Sequence, residues 1–444
     1  MQSTSKPVVI MGMGKTGLAC ANFLINQDIP IIIMDNRDSP PGLSILQQKF
    51  PTIQYITGKF DSEILSQASK IIISPGLSKQ QPALAKAQEI GIPIISEIEL
   101  FANYVNAPVV AITGSNGKST VTTLLGEMAQ KAGWKAQVGG NLGTPAIELL
   151  CTPAPDLYIL ELSSFQLETT YSLNPAAAVV LNISADHMDR YASLSEYVTT
   201  KHSIYQGDGK FIINADDPYA IKNLHLSFSL QTDKGDFRIC NKNNELHLAK
   251  MKNDKLIPLL PVTEMYLQGS IMQANALAAL ALGHAVGLPL TAMLEALKTF
   301  KGLPHRCAWV ANKHGVDFFN DSKGTNVGAT IAAIQGLARK SILIAGGDGK
   351  GADFSPLQDT VKKYCHAVVL IGQDAPLLAQ VLSVPTYYAS SLETAVQKAA
   401  TLANSGDAVL LSPACASFDM FNNYEHRGQV FEDAVHKLND NQQV

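Results

Sequence analysis

Short apolar, β-branched runs alternate with longer segments of helical period along nearly the whole chain. Residues 7–10 form one such run, followed by a glycine turn at 12–17, a helix-like segment at 18–26 and a second run at 29–34. Residues 71–74 and 92–95 continue the pattern. Apolar runs separated by helical segments predict an α/β fold with mostly parallel sheets, because parallel strands are covered on both faces. A helix-like link at 97–104 leads to a further run at 108–112, and strands are expected at 157–162 and 177–182. A more polar stretch, 231–255, reads as short antiparallel strands, and the apolar runs 342–345, 367–371 and 408–412 form a third unit. The 444 residues suggest roughly three domains of about 150 residues each. Boundaries are expected near residue 97 and at Gly302-Leu303-Pro304, where a helix ends in Gly and Pro, giving domains 1–97, 98–302 and 303–444.

The strongest chemical signal is TGSNGKST, residues 113–120, directly after the run 108–112. A strand that ends in a glycine turn and opens a helix with Lys and hydroxyls cradles polyphosphate with its backbone amides. Gly114, Ser115, Asn116, Gly117, Lys118, Ser119 and Thr120 are therefore candidate ATP ligands, with Lys118 on the β/γ oxygens and Ser119 on Mg²⁺. The common pattern has a glycine five residues before the one preceding Lys, and that position is Ile112. The loop is thus shorter than in ordinary signalling or motor NTPases. An unadorned strand-to-helix turn is the competing reading.

Composition narrows the partners. Hydrophobic residues make up 46% and charged residues 16%, with a net charge of −4. Such a balance gives no reason to expect nucleic acid or an acidic membrane surface. The six cysteines are scattered with no CxxC pair, so buried, reduced thiols of a cytoplasmic protein are expected rather than disulfides or zinc. The start runs straight into a strand without a secretion signal. Residues 274–290 are Ala-rich and carry Asn275 and His284, which predicts a buried helix and no membrane insertion.

Other motifs fall at strand ends. Gly12-x-Gly14-x-x-Gly17 opens a helix, and Asp35 ends the next strand, as a dinucleotide fingerprint requires. A nucleotide without nicotinamide, or simple turn geometry, fits the same residues, and Asn36 and Arg37 could meet a uracil ring or a phosphate. Glu161, at the end of 157–161, stands where phosphate-loop enzymes place a metal-holding carboxylate, although a surface Glu is also common there. His187, in NISADHMDRY, is a candidate ligand for a second metal; a lone His is otherwise more often structural. In the third unit LPHR offers Arg306, NDSKGTN offers Asp321, Lys323 and Thr325, GGDGKG offers Lys350, and LSPACASFD offers Ser417. All lie beyond strand ends, where open α/β sheets bind ligands, and the lysines suit a small anion.

With these segments in view, the chain resembles the Mur ligases of peptidoglycan precursor synthesis. The loop TGSNGKST is similar to their shortened ATP loop, shared with folylpolyglutamate synthase. ELSSFQLETT, DHMDRY, LPHR, NDSKGTNVG, GGDGKGADFSP and LLSPACASFDMFNNYEHRG look like the D-glutamate-adding members. The resemblance implies a Rossmann-like N-terminal UDP-binding domain, a P-loop ATPase-like central domain and a Rossmann-like C-terminal domain. It implies an ATP-dependent amide-forming ligase that joins D-glutamate to UDP-N-acetylmuramoyl-L-alanine through an acyl phosphate. Such an enzyme serves cell-wall biogenesis, and hence cell shape and division, in the cytoplasm, and is expected to be a monomer.

On this resemblance Thr16, Asp35, Asn36, Arg37, Ser74, Gly76 and Asn141 would bind the UDP substrate. Asn275, Arg306 and Asp321 would join the loop on ATP. Lys323, Thr325, Lys350, Ser417 and Phe418 would receive D-glutamate. Lys118, Glu161, His187 and Lys201 would carry catalysis, with two Mg²⁺ ions on Ser119, Glu161, His187 and a carbamylated Lys201. The family usually shows Gly-x-His-Asn-x-x-Asn near adenine, whereas Ile271 and Met272 stand here before Asn275, so either adenine contact is more apolar or ATP sits slightly differently, and only Asn275 is assigned. Lys15 replaces a commonly apolar residue and is expected to pair with the substrate's phosphates. Folylpolyglutamate synthase lacks the UDP-type first domain, a dehydrogenase leaves the loop at 114 unexplained, and an assembly NTPase would hydrolyse ATP without small substrates.

Overall fold

The computed structural model describes residues 6–438, apart from 223, 232, 234 and 338. Its strands form three sheets. The first has the order Gln54–Ile56, Ile31–Met34, Val8–Met11, Lys70–Ile73, Ile94–Ile95, all parallel. Apart from Lys70 at the start of its strand, its central strands are apolar because helices cover both faces.

The middle sheet has nine strands, ordered Lys255–Pro261, Glu245–Lys252, Phe237–Lys242, Leu226–Ser229, Lys210–Asn214, Ala177–Val180, Val109–Thr113, Leu157–Glu161, Ala136–Gly140. The three strands from 237 onward are antiparallel to their neighbours within the meander, and the last of them runs to Pro261, beyond the stretch expected from sequence. Of that stretch, 232 and 234 lie outside the described residues. The helix expected at 274–290 is Ser270–Ala285; Gly287, at φ 87°, and Pro289 separate it from a second helix, Leu290–Thr299. Among the described residues, no helix is long and apolar enough to cross a membrane.

The third sheet has the order Ala308–Lys313, Val316–Asn320, Ala408–Leu411, Ser341–Gly346, Cys365–Ile371, Thr386–Tyr388, with only the first pair antiparallel. All six cysteines are free, but Cys151, Cys240 and Cys307 are only half-buried, correcting the expectation of uniformly buried thiols.

The domains are joined unequally. One apolar cluster runs from Val8, Ile10 and Ile33 of the first sheet through Leu100 and Phe101 to Ala111 and Tyr158 of the middle sheet. The two clusters of the third domain contain no described residue before Cys307. The helix Glu97–Ala102 carries the first junction. Ser96 caps it and bonds Thr170 at 2.7 Å, and Glu99 accepts from the amides of Tyr171 and Ser172 at 2.6 and 2.8 Å. Glu97, with no exposed surface, accepts the Ile147 amide at 2.6 Å, while its second oxygen has no partner.

Burial pushes the Glu97 carboxyl up to about 7, with the amides of Ile147 and Ala146 opposing and Glu148 adding to the rise. The ordinary value is 4.5, so the folded chain holds this proton over a pH range in which the unfolded chain has lost it. Stability therefore declines as pH climbs between those values and is flat above them. Glu97→Gln keeps an acceptor for Ile147 and removes the proton. The melting temperature of wild type should fall relative to Glu97→Gln as pH rises from 4.5 to about 7. Parallel melting curves across that range would refute the assignment; Asp321, raised in the same direction, cancels in the comparison.

Candidate active site

The strand Val109–Thr113 delivers the chain into Gly114, at φ 152°, and Gly117, at φ 85°, before the helix Lys118–Lys131. A Cβ on Gly117 would lie 2.6 Å from Asn275 Oδ1, so only glycine lets the loop pack there. Asn182 clamps the loop from the next strand end: its Oδ1 accepts the Asn116 amide at 2.8 Å and its Nδ2 donates to the Asn116 carbonyl at 3.0 Å. The Ser115 hydroxyl is engaged by the Ser184 backbone and the Tyr197 hydroxyl, at 3.0 and 3.1 Å. Ser115 therefore shapes the loop with its side chain. Lys118 folds back to donate to the carbonyls of Gly114 and Ser115, at 2.8 and 3.0 Å, and Thr120 is buried in the first helical turn. Burial lowers the Lys118 pKa, with Glu161 opposing.

Glu161 ends its strand in register with Ile112 and Gly140. Asn141 Nδ2 donates to Oε1 at 2.7 Å, and Oε2 is buried with no partner. A buried carboxylate oxygen without a donor is costly, and a cation beside the phosphate loop would satisfy it. Ser119 Oγ, the other expected ligand, accepts from Arg306 of the third domain at 2.8 Å. His187 has a left-handed backbone, φ 58°, fixed by its own amide on Asp186 at 2.9 Å. Burial holds its pKa below the usual imidazole value; Asp186 opposes, while Lys350, Lys118 and Lys201 add to the lowering. A neutral imidazole is the form that ligates metal. Among the described residues no trio of His, Cys, Asp or Glu forms a ready cage.

Lys201, 1% exposed, donates to the Gly114 carbonyl at 3.0 Å and approaches Thr113 Oγ1 at 3.4 Å, with its amine 4.7 Å from the Tyr197 ring centre. Burial, then Lys118, drives its pKa well below the ordinary lysine value.

From the third domain, Lys323 lies 3.5 Å from the Tyr424 ring centre, and burial lowers its pKa to about 8. Arg306 and Lys118 add to the lowering, while Glu161 and Glu425 oppose it. Asp321 accepts from Ser412 at 2.7 Å and from the Cys307 amide at 3.1 Å; burial pushes it up to about 7. Both its oxygens are thus engaged inside its own domain. Lys350, at φ 52°, sits in the glycine turn and acts on His187, while Thr325 is half-buried beside Lys323. Ser417 is buried, but Phe418 is 72% exposed and is not gathered into the site.

Sequence reasoning passed over Arg427, which is fully buried. Its guanidinium donates to the Ser322 hydroxyl and carbonyl at 3.0 and 2.8 Å, and to the carbonyls of Cys415 and Ala416 at 3.1 and 3.2 Å. One planar fork therefore joins the loops that carry Lys323 and Ser417.

In the first domain Thr16, Asp35 and Ser74 follow three adjacent strands. Asp35 accepts the Met13 amide at 2.8 Å and a bidentate pair from Arg37 at 2.8 and 2.7 Å; burial opposes, but these donors hold it at about 2. Asn36, Arg37 and Gly76 are exposed, and the Ser74 hydroxyl is buried without a partner beside Gly12. Lys15 donates to the Gly143 carbonyl of the middle domain at 2.7 Å. Near the loop, Ile271 faces Gly336 of the third domain, and Asn275 Nδ2 lies 3.9 Å from Met272 Sδ.

Three domain families match in order: Mur ligase MurD-like, N-terminal domain, at residues 6–96; Mur ligase middle domain, at 112–283; and Mur ligase, glutamate ligase domain, at 305–415. The chain is 53% identical over 441 residues to a UDP-N-acetylmuramoylalanine–D-glutamate ligase of Nitrosococcus oceani, covering 97% of this chain and 96% of that protein. It is 50% identical over 442 residues to the protein of that name from Pseudomonas syringae pv. tomato, covering 97% and 98%. A solved pseudomurein peptide ligase type C from Methanothermus fervidus shares the fold, with a TM-score of 0.63 at 18% identity over 98% of this chain and all of that one. Three domains matched in sequence, together with half of all positions identical across nearly the full length, make this chain a member of the Mur ligase family.

Proposed function

We propose that the chain is an ATP-dependent ligase that forms the amide bond between D-glutamate and UDP-N-acetylmuramoyl-L-alanine in peptidoglycan synthesis. The observation that carries the reading is near-full-length identity of about half to relatives bearing that name. The geometry supports it: Arg306 crosses from the third domain to Ser119, so the site is complete only when two domains meet.

A carboxylate is a poor electrophile. Transfer of the γ-phosphoryl group to the L-alanyl carboxylate breaks the bond to ADP and gives an acyl phosphate. The neutral amine of D-glutamate attacks its carbonyl carbon, the C–O bond to phosphate breaks, and the amine proton is released. The loop amides, Lys118 and Arg306 bind the phosphates and offset the repulsion between the two anions. Bound Mg²⁺ supplies further charge neutralisation; Ser119 and Glu161 would hold one ion, and His187 with a carbamylated Lys201 a second. Thr120 and Asn275 complete the nucleotide side. Asp35, with Asn36, Arg37, Ser74, Gly76 and Thr16, binds the UDP end, and Asn141 the sugar–peptide end. Lys323, Thr325, Lys350 and Ser417 receive D-glutamate; Phe418, open to solvent, covers that end only if its loop moves. The reading makes the enzyme a cytoplasmic monomer divided at 1–97, 98–302 and 303–444.

Lys201 suits carbamylation because its burial and the nearby Lys118 favour the neutral amine. That amine adds CO₂ and loses a proton, replacing a cation by an anionic oxygen ligand.

Phosphate release should require UDP-N-acetylmuramoyl-L-alanine and D-glutamate together; equal turnover with L-lysine or diaminopimelate would remove the D-glutamate assignment. Lys201→Ala should lower turnover roughly 10- to 100-fold, with partial recovery when short carboxylates are added. Full activity of the unsupplemented variant would exclude the carbamate.

A further inference from the structure

We propose that Arg190 is a positioning residue that ties the loop 74–77 of the first domain to His187 at the nucleotide site, so that one side chain sets two subsites. The inference rests on the reading given above.

Four donor contacts leave the guanidinium no freedom. Nε and Nη2 donate to the two oxygens of Glu168 at 2.9 and 2.7 Å, while Nη1 and Nη2 donate to the carbonyls of Pro75 and Leu77, each at 3.0 Å. The pair is largely buried, with side-chain exposures of 13% and 9%. Glu168 is itself held by the Tyr191 hydroxyl at 2.7 Å. A planar fork meets a carboxylate and two carbonyls together, which a lysine cannot do. On one side of this knot lies Ser74, whose buried hydroxyl has no partner.

On the other side lies His187. The guanidinium carbon is 4.1 Å from the Phe165 ring centre, and the same ring meets the His187 imidazole at 4.6 Å. The amides of Arg190 and Tyr191 both donate to the His187 carbonyl, at 3.0 and 3.1 Å. The left-handed backbone at His187 is thus closed by the residue whose side chain grips the first domain. Loss of the fork frees the 74–77 loop and the His187 turn together.

The test uses Arg190→Gln and Arg190→Lys in the full chain, with steady-state kinetics, Mg²⁺ titration and calorimetric binding of UDP. Both the KM for the UDP substrate and the Mg²⁺ half-saturation should rise roughly 10- to 100-fold in Arg190→Gln. UDP binding should weaken in parallel, the lysine variant should recover little, and the KM for D-glutamate should hold. A rise in all three constants together, a fall in kcat alone, or wild-type constants would each overturn the proposal. Phe165→Leu provides a second arm if Arg190→Gln fails to fold. It keeps the contacts to loop 74–77, so the Mg²⁺ half-saturation should rise with UDP binding unchanged, and an unchanged Mg²⁺ requirement refutes the link. Wild-type protein that neither binds UDP nor consumes the UDP substrate refutes the parent reading instead.

Discussion

Crowding of like charges at one point governs this structure. Lys118, Lys201, Lys323 and Arg306 converge on the phosphate loop, each felt by at least one of the others, with Glu161 and Asp186 as nearby opposing charges. The chain tolerates this by spending its own acceptors: Lys118 and Lys201 both sit on the Gly114 carbonyl, and Lys323 lies on the Tyr424 ring. Those acceptors are weak substitutes for phosphate. An arriving triphosphate relieves the repulsion directly, so charge crowding favours anions; at Lys201 burial, then Lys118, lowers the pKa.

The unequal joining of the domains follows from the same demand. The first and middle domains share an apolar core and two buried glutamates on one linking helix, which sets their relation firmly. The third domain meets the middle one chiefly through polar groups: Arg306 on Ser119, and Asn326 on Asn116 and Asp186 at 3.1 to 3.4 Å. Contacts of that kind exchange readily with water. A domain held so can part to admit ATP and the amino acid, then return to exclude water from an acyl phosphate.

Much of this was readable from the chain. The phosphate loop, Glu161, His187 and the third-domain loops all lie at strand ends, where sequence pattern locates them well. Strands such as Ala136–Gly140 were not readable, because two glycines weaken the strand signal. Arg427 and Arg190 were missed for a different reason: an arginine in a polar-looking helix or loop carries no mark of burial, and its carbonyl partners lie on distant segments. The contact of Lys15 with Gly143 was not legible because its acceptor belongs to another domain. Local chemistry is written locally, whereas the contacts that fix one domain on another are not.

The departure at Ile271 and Met272 is informative on that last point. A polar pair there would offer hydrogen bonds to a base; here Ile271 instead approaches the backbone position of Gly336 in the helix Val327–Leu337. The same short segment thus places an apolar side chain at a domain boundary that also carries the polar contacts of Arg306 and Asn326. Apolar contact has no directional requirement, so it can persist while the polar contacts around Asn326 rearrange. In this chain, the start of the helix that carries Asn275 to the phosphate loop also lies against the third domain.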